Sequence, residues 1–262
     1  FGSIFIMSDQ AATIPSLNGK NILITGGASG IGREVARAYA LQGSLVHLID
    51  NQDPSRLSEP LPTDWTYSQV DVMESERLAR CISEIGERSK SLDSVVISAG
   101  VVPAWGSIAD MDPQKWDEVF AINVGAAMLT IKSVIPFLSN RSSITVIASM
   151  NSWRGDKNLP SYVASKHAVL GLVRSAALEL GPAGVRVNAV GPGPVATPAL
   201  VERIRRRTGE KNVDQALESL GAQTALGKLV TAGEVAQAVI FLGSDFSSGI
   251  TGQLLNVDGG VN

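Results

Sequence analysis

Three side chains in this sequence could carry out acid–base chemistry together: Ser149, Tyr162 and Lys166. Tyr162-Val-Ala-Ser-Lys166 spaces a phenol and an ammonium four residues apart, on one face of a helix. A phenol of pKa about 10 is a poor base at neutral pH. A neighbouring lysine cation favours the phenolate and lowers that pKa. Such a tyrosine can exchange a proton with an alcohol or carbonyl oxygen. Taken alone, the pair could equally decorate a helix surface. A second stretch, Thr25-Gly-Gly-Ala-Ser-Gly-Ile-Gly32, follows the apolar run Ile22-Leu-Ile24 and opens a helical pattern on Ile31, Val35, Ala38 and Tyr39. Glycines there permit φ > 0 and let a pyrophosphate approach the backbone, facing the free N–H groups of a helix start. A tight packing turn would need glycine too, so this fingerprint is weak on its own.

These residues need a scaffold, and the chain supplies one. Strands are expected at 20–25, 45–50, 65–70, 95–97, 144–148, 185–190 and 253–256, with helices at about 30–42, 74–89, 113–138 and 162–180. Asp112-Pro113 supplies an N-cap and first-turn pair, and Gly181-Pro182 a stop. Thr231 to Glu234 reads as a capping box before a helix to about Leu242. Strand and helix alternate throughout. The expected architecture is α/β: a single doubly wound, mostly parallel, Rossmann-like sheet with helices on both faces. In such a sheet ligands sit beyond the carboxyl ends of the strands, where Thr25, Asp50, Asp71, Ser98 and Ser149 all fall. The region 191–230 breaks the rhythm with Pro192, Pro194 and Pro198 and two short helical stretches, near 199–207 and 213–220. Long excursions of this kind are often lids.

Asp50 closes the second strand, 18 residues past Gly32. A carboxylate there can bond both hydroxyls of an adenosine ribose and would repel a 2′-phosphate, which favours NAD over NADP. Asp71 and Val72 are expected to flank the adenine.

The 262 residues fit one large domain, 16–262, behind a tail at 1–15; Phe1 to Ile6 is too short for a signal peptide, and Met7 reads as the natural start. With 44% apolar and 18% charged residues a sizeable core is available. A net charge of −3 gives no electrostatic case for nucleic acid. No apolar run reaches transmembrane length, so no membrane association is expected. The single cysteine, Cys81, makes an intrachain disulfide impossible, points to a reducing, cytoplasmic setting, and shares a helical face with Leu78, Ile82 and Ile85 as a packing residue. Two histidines, one cysteine and no clustered carboxylates argue against a catalytic metal. His47 sits in an apolar strand and reads as a satisfied core histidine. The run Arg203, Arg205, Arg206, Arg207 reads as the solvated face of a lid helix.

In combination these features resemble the short-chain dehydrogenase/reductase family, over nearly the whole chain. The family's Thr-Gly-x-x-x-Gly-x-Gly turn is Thr25, Gly26, Gly30 and Gly32; its catalytic set is Asn123, Ser149, Tyr162 and Lys166; its Pro-Gly after strand six is Pro192-Gly193, with Asn188 before it; the end, Gly252-Gln253 to Asp258-Gly-Gly260, is similar too. The resemblance implies an oxidoreductase with Tyr162 as general acid or base, Ser149 bonded to the reacting oxygen, and Lys166 on the nicotinamide ribose. It implies that Asn123 fixes a water in a proton relay through its helix, that the Val195 backbone meets the nicotinamide carboxamide, and that Thr197 meets the phosphate or carboxamide side of the cofactor. The implied cofactor set is Gly26, Ser29, Gly30, Ile31, Gly32, Asp50, Asp71, Val72, Ala99, Gly100, Tyr162, Lys166, Pro192, Val195 and Thr197. A homo-oligomer, most simply a homotetramer, is also implied; the small residues Ala164, Ala168 and Gly171 would allow close helix approach or serve packing on the chain's own sheet. One departure stands out: Ser98-Ala99-Gly100 replaces the family's Asn-Ala-Gly, which should spare the backbone approach at Ala99 and Gly100.

The substrate is expected to be a mostly apolar secondary alcohol or ketone, meeting Met150 and Trp153 beside Ser149 and Tyr162, with Val101, Val102, Trp105, Val195 and Leu200 nearby. Arg154 and Lys157 are the cations close to Ser149 in sequence, and Arg154 leaves a carboxylated substrate open. A carrier-linked 3-oxoacyl reductase and a dinucleotide-sensing protein without turnover are the competing readings; the first would favour NADP, and the second has no need of Tyr162 and Lys166.

Overall fold

The computed structural model describes residues 14–209 and 212–261, so Phe1 to Ile6 and Met7 lie outside the described residues. Seven strands form one sheet in the order β3-β2-β1-β4-β5-β6-β7: β1 (Asn21–Thr25), β2 (Leu45–Asp50), β3 (Thr66–Gln69), β4 (Leu92–Ile97), β5 (Leu138–Ile147), β6 (Arg186–Pro192) and β7 (Leu254–Val257). Every pairing is parallel. Parallel strands are covered on both faces, and alternation decides which side chain goes where. Leu23, Val95, Ile97, Ile144 and Val146 point into one core, with α2 (Ser75–Ser89), α4 (Ala126–Val134) and α5 (Pro160–Leu180) over them. Ile22, Ile24, Val46, Leu48, Val96 and Val190 point into the other, beneath α1 (Gly30–Leu41) and α8 (Ala232–Gly243). The chain reverses its direction of travel across the sheet between β1 and β4, which opens a crevice at their carboxyl ends.

The start signals behave as their chemistry requires. Asp112 accepts from the Gln114 N–H to cap α3 (Pro113–Phe120), and Thr231 and Glu234 make both bonds of a capping box at α8. Cys81 is buried with Leu78, Ile82 and Ile85, and burial pushes its thiol up. His47 is buried in β2 and satisfied by Thr66, Asn21 and Ser89.

Three expectations need correction. The helix expected over 113–138 is interrupted: α3 passes into a π turn at Ala121–Gly125 before α4 begins. β4 and β5 start earlier than expected, at Leu92 and Leu138, because their entries (Asp93 in β4; Ser139, Asn140 and Arg141 in β5) carry no apolar pattern. Lastly, the helical run Pro113–Phe137 is long and apolar enough to cross a membrane by composition alone, contrary to the reading of the bare sequence. Its inner face nonetheless joins the core through Ala127, Ile131 and Val134.

The excursion after β6 carries α6 (Pro198–Thr208) and α7 (Val213–Gly221). Thr197 caps α6 by accepting from the Leu200 N–H, with Pro198 in the first turn.

Candidate active site

The glycine turn leaves β1 with Gly26 at φ 72° and enters α1 with Gly30 at φ 55°. At Gly26 a Cβ would lie 2.5 Å from the Ala99 nitrogen, and at Gly32 it would lie 2.0 Å from the Gly26 carbonyl oxygen. Both glycines are therefore required by close backbone approach, one between β1 and the loop after β4, the other within the turn. The approach at Ala99 survives the replacement of the family's asparagine by Ser98, whose N–H donates to the Thr25 carbonyl at 3.0 Å. Ser29 stands at the N-cap of α1 and makes no side-chain capping bond, so it does not occupy the first N–H groups of that helix. Ile31 is half-buried and packs on the second core. Gly30 faces the Thr197 methyl: a Cβ there would lie 3.5 Å from Cγ2.

Asp50 is buried at the end of β2 and fixed by two N–H donors, Ala28 to Oδ2 at 3.0 Å and Gln52 to Oδ1 at 3.1 Å. Each carboxylate oxygen retains a lone-pair site for a ribose hydroxyl. Arg33, the first cation after the turn, is held elsewhere: it donates to the Pro60 carbonyl at 2.8 Å and lies over the Trp65 ring at 5.0 Å. Asp71 and Val72 sit one strand further out. Asp71 accepts from the Met73 N–H and Val72 packs on the core.

The reactive trio assembles on the other side of the crevice. Ser149 follows β5 and caps a short 3-10 turn, its Oγ accepting from the Asn151 N–H at 3.1 Å, which leaves its own proton directed to Tyr162. Tyr162 lies in the first turn of α5, Lys166 one turn on. Lys166 is buried, with Nζ 2.8 Å from the Ile147 carbonyl and 5.8 Å from the Tyr162 ring centre. Burial pushes the Lys166 ammonium down to about 8. Burial pushes the Tyr162 phenol up, while a hydrogen bond with Ser149 and the charge of Arg203 pull it back. The expected lowering by Lys166 is thus corrected: in the free protein Lys166 is committed to Ile147, and Arg203 is the cation that acts on the phenol. A Cβ on Gly100 would stand 3.1 Å from Asn123 Oδ1 and 3.7 Å from Lys166 Nζ, so the bare backbone at Gly100 keeps the space before the lysine open.

Asn123 sits in the π turn with both of its amide N–H groups occupied. Oδ1 accepts from the Val101 N–H at 2.8 Å; Nδ2 donates to the Val101 carbonyl and to Ser165 Oγ, both at 3.0 Å. Ser165 in turn donates to the Tyr162 carbonyl at 2.8 Å. Both side-chain donors are used within the protein, so a water relay here would run through the backbone of the widened turn. Ser165 went unnoticed in the sequence, although it lies inside the Tyr-Val-Ala-Ser-Lys stretch.

At the mouth, Val101, Val102 and Trp153 are exposed and Met150 is half-buried. Pro192 ends β6, buried, and Val195 is buried and bridged to Val230. The arginine run is not a solvated face throughout. Arg205 and Arg206 pair with Glu202, each at 2.8 Å, but Arg203 and Arg207 both lie 4.2 Å from the centre of the Trp105 ring. No local pattern in the sequence announces a stack between residues so far apart.

A family profile described as enoyl-(acyl carrier protein) reductase matches residues 26–262. Short-chain dehydrogenase reductase 5 of Arabidopsis thaliana is 36% identical over 253 residues, covering 94% of this chain and 95% of that protein. The ligand-free aldohexose dehydrogenase of Thermoplasma acidophilum superposes with a TM-score of 0.88 at 30% identity, covering 94% of this chain and 95% of its own. Carveol dehydrogenase of Mycobacterium avium, solved in complex with NAD, superposes with a TM-score of 0.85 at 29% identity, over 94% of this chain and 98% of its own.

Proposed function

The chain belongs to the short-chain dehydrogenase/reductase family, and from that premise we propose that it is an NAD-dependent oxidoreductase acting on a mostly apolar secondary alcohol or ketone. The observation that carries this reading is the meeting of two half-sites across one crevice. The glycine turn and Asp50 lie on one side, and Ser149, Tyr162 and Lys166 on the other, with Gly100 open toward Lys166 Nζ. A bound nicotinamide supplies the carbon that accepts or gives the hydride. Tyr162 Oη takes the alcohol proton in oxidation and returns it to the carbonyl oxygen in reduction. Ser149 holds that oxygen with its hydroxyl, and Lys166 is placed to reach the ribose hydroxyls. The apolar mouth of Val101, Val102, Met150 and Trp153 favours a substrate with few polar groups. The excursion carrying α6 and α7 serves as a lid that excludes water.

Asp50 supports NAD over NADP: its carboxylate suits two ribose hydroxyls and repels a 2′-phosphate, and Arg33 is tied to Pro60 and Trp65. The test follows absorbance at 340 nm with NADH and with NADPH over a panel of neutral cyclic ketones, keto acids and sugars. The expected outcome is turnover of a ketone with a largely apolar body, with NADH preferred. An equal or higher kcat/KM with NADPH overturns the cofactor assignment, and NADH binding without turnover of any substrate points to a sensor.

A further inference from the structure

Helix α6 divides its arginines between two duties. On the outer side, Arg205 and Arg206 are neutralised by Glu202. On the inner side, Arg203 and Arg207, one turn apart, both lie against the ring of Trp105. Trp105 belongs to the loop after β4. That loop is pinned to the segment following Ser149, because the Gly106 N–H donates to the Asn158 carbonyl at 2.9 Å. The stack therefore sets Arg203 where three segments meet at the mouth of the site: the β4 loop, the approach to Tyr162, and α6.

Arg203 is half-buried and, among the described residues, has no ion pair and no hydrogen bond; its Nε is fully buried without a partner. The charged and titratable groups that act on it are Tyr162, Asp156 and the like charge of Arg207. Asp156 lies beyond ion-pair distance, and its Oδ1 accepts from the Asn158 N–H. Partial burial of a guanidinium without a counter-anion is unfavourable. Tyr162 and Asp156 favour its charge without pairing with it, and Val101, Val102 and Met150 at the mouth are apolar.

We propose that Arg203 is a specificity-determining residue that binds a carboxylate carried by the substrate at a distance from its reacting carbinol or carbonyl. A guanidinium held flat by an aromatic ring presents its remaining N–H groups as a fork, which matches a carboxylate in two parallel bonds. Arg207, exposed on the same ring, adds positive potential at the entrance. The substrate is then a largely apolar hydroxy or keto acid: apolar body against Val101, Val102 and Met150, reacting oxygen at Tyr162, carboxylate at Arg203. This inference rests on the oxidoreductase reading of the Tyr162 site.

The test uses 3-oxocyclohexanecarboxylate and its methyl ester, which share the reacting ketone and the ring and differ only in the carboxylate or its neutral ester at one end. The parent, with NADH, should favour the acid in kcat/KM by on the order of tenfold or more, as expected for a charge-assisted bond. The acid-to-ester ratio should fall toward one in Arg203→Met and be largely kept in Arg203→Lys. Calorimetric binding of cyclohexanecarboxylate to the protein–NAD complex supplies a readout that needs no turnover, and should weaken by a similar factor in Arg203→Met. Equal use of acid and ester by the parent overturns the proposal, as does an Arg203→Met variant that lowers both alike. If neither compound is turned over but the carboxylate binds the parent more tightly than Arg203→Met, the reaction assignment fails and the role of Arg203 stands.

Discussion

At the scale of single residues, the acidity of Tyr162 decides when the site can act. Burial holds the phenol above its ordinary value, and Ser149 and Arg203 work against that rise. Alcohol oxidation needs the phenolate, so its rate should climb as pH increases through the neutral range and beyond, whereas carbonyl reduction, which needs the phenol, should decline. Tyr162→Phe should cut turnover by roughly 10²–10⁴-fold and flatten this climb, with NADH still bound by the glycine turn and Lys166. Stopped-flow turnover beside fluorescence titration of NADH separates the two; activity within threefold of the parent would mean that another group moves the proton. The sequence made Tyr162, Ser149 and Lys166 legible because each stands in a local pattern. It hid Arg203, because a basic run looks alike whether it faces water or an indole ring, and Trp105 is brought to it by the fold alone.

At the scale of elements, one imidazole ties β2 to three neighbours beyond its backbone ladders. His47 bonds to Thr66 of β3, Asn21 of β1 and Ser89 of α2. Burial, with Arg88 nearby, lowers its pKa from 6.5 to about 4. The native state thus refuses a proton that the unfolded chain accepts near 6.5, so this contribution is present above pH 6.5 and is lost as pH falls toward 4. The full effect is on the order of 3 kcal/mol. Urea midpoints of the parent should drop between pH 7 and pH 4.5 by more than those of His47→Gln; matching drops would place the proton elsewhere. Most elements could be read from apolar periodicity and caps, as at α8, where Thr231 and Glu234 carry the signal themselves. The π turn could not. One extra residue per turn leaves no mark in a 3.6-residue pattern, and what the structure shows there, Asn123 gripping Val101, is a contact between distant parts of the chain.

At the scale of the whole molecule, the outer faces of α4 and α5 look unfinished. Met128 of α4 and Leu178 of α5 are exposed, as is Ile135 just after α4; Gly171 is exposed with open space around it, and Ala164 and Ala168 are only partly covered. The small residues of α5 are therefore not consumed by the chain's own sheet, which supports self-association through these helices. Light scattering at micromolar concentration should give a particle of four times 27.5 kDa, and a mass of 27.5 kDa would rule association out. Larger replacements at the open position, such as Gly171→Leu, should shift the population to smaller species. The excursion after β6 has a further consequence. Its neck is closed by the Val195–Val230 bridge, and its returning arm is laced to the chain's end through Thr224 with Val261 and Ala225 with Gly260. What lies between, 196–223, hangs from a junction that the sheet has already completed. Changes in helices α6 and α7 accordingly leave the pairing of the seven strands intact, and what they alter is the contact with Trp105 and the mouth of the site. A lineage built this way can explore new substrates without having to solve its folding problem again.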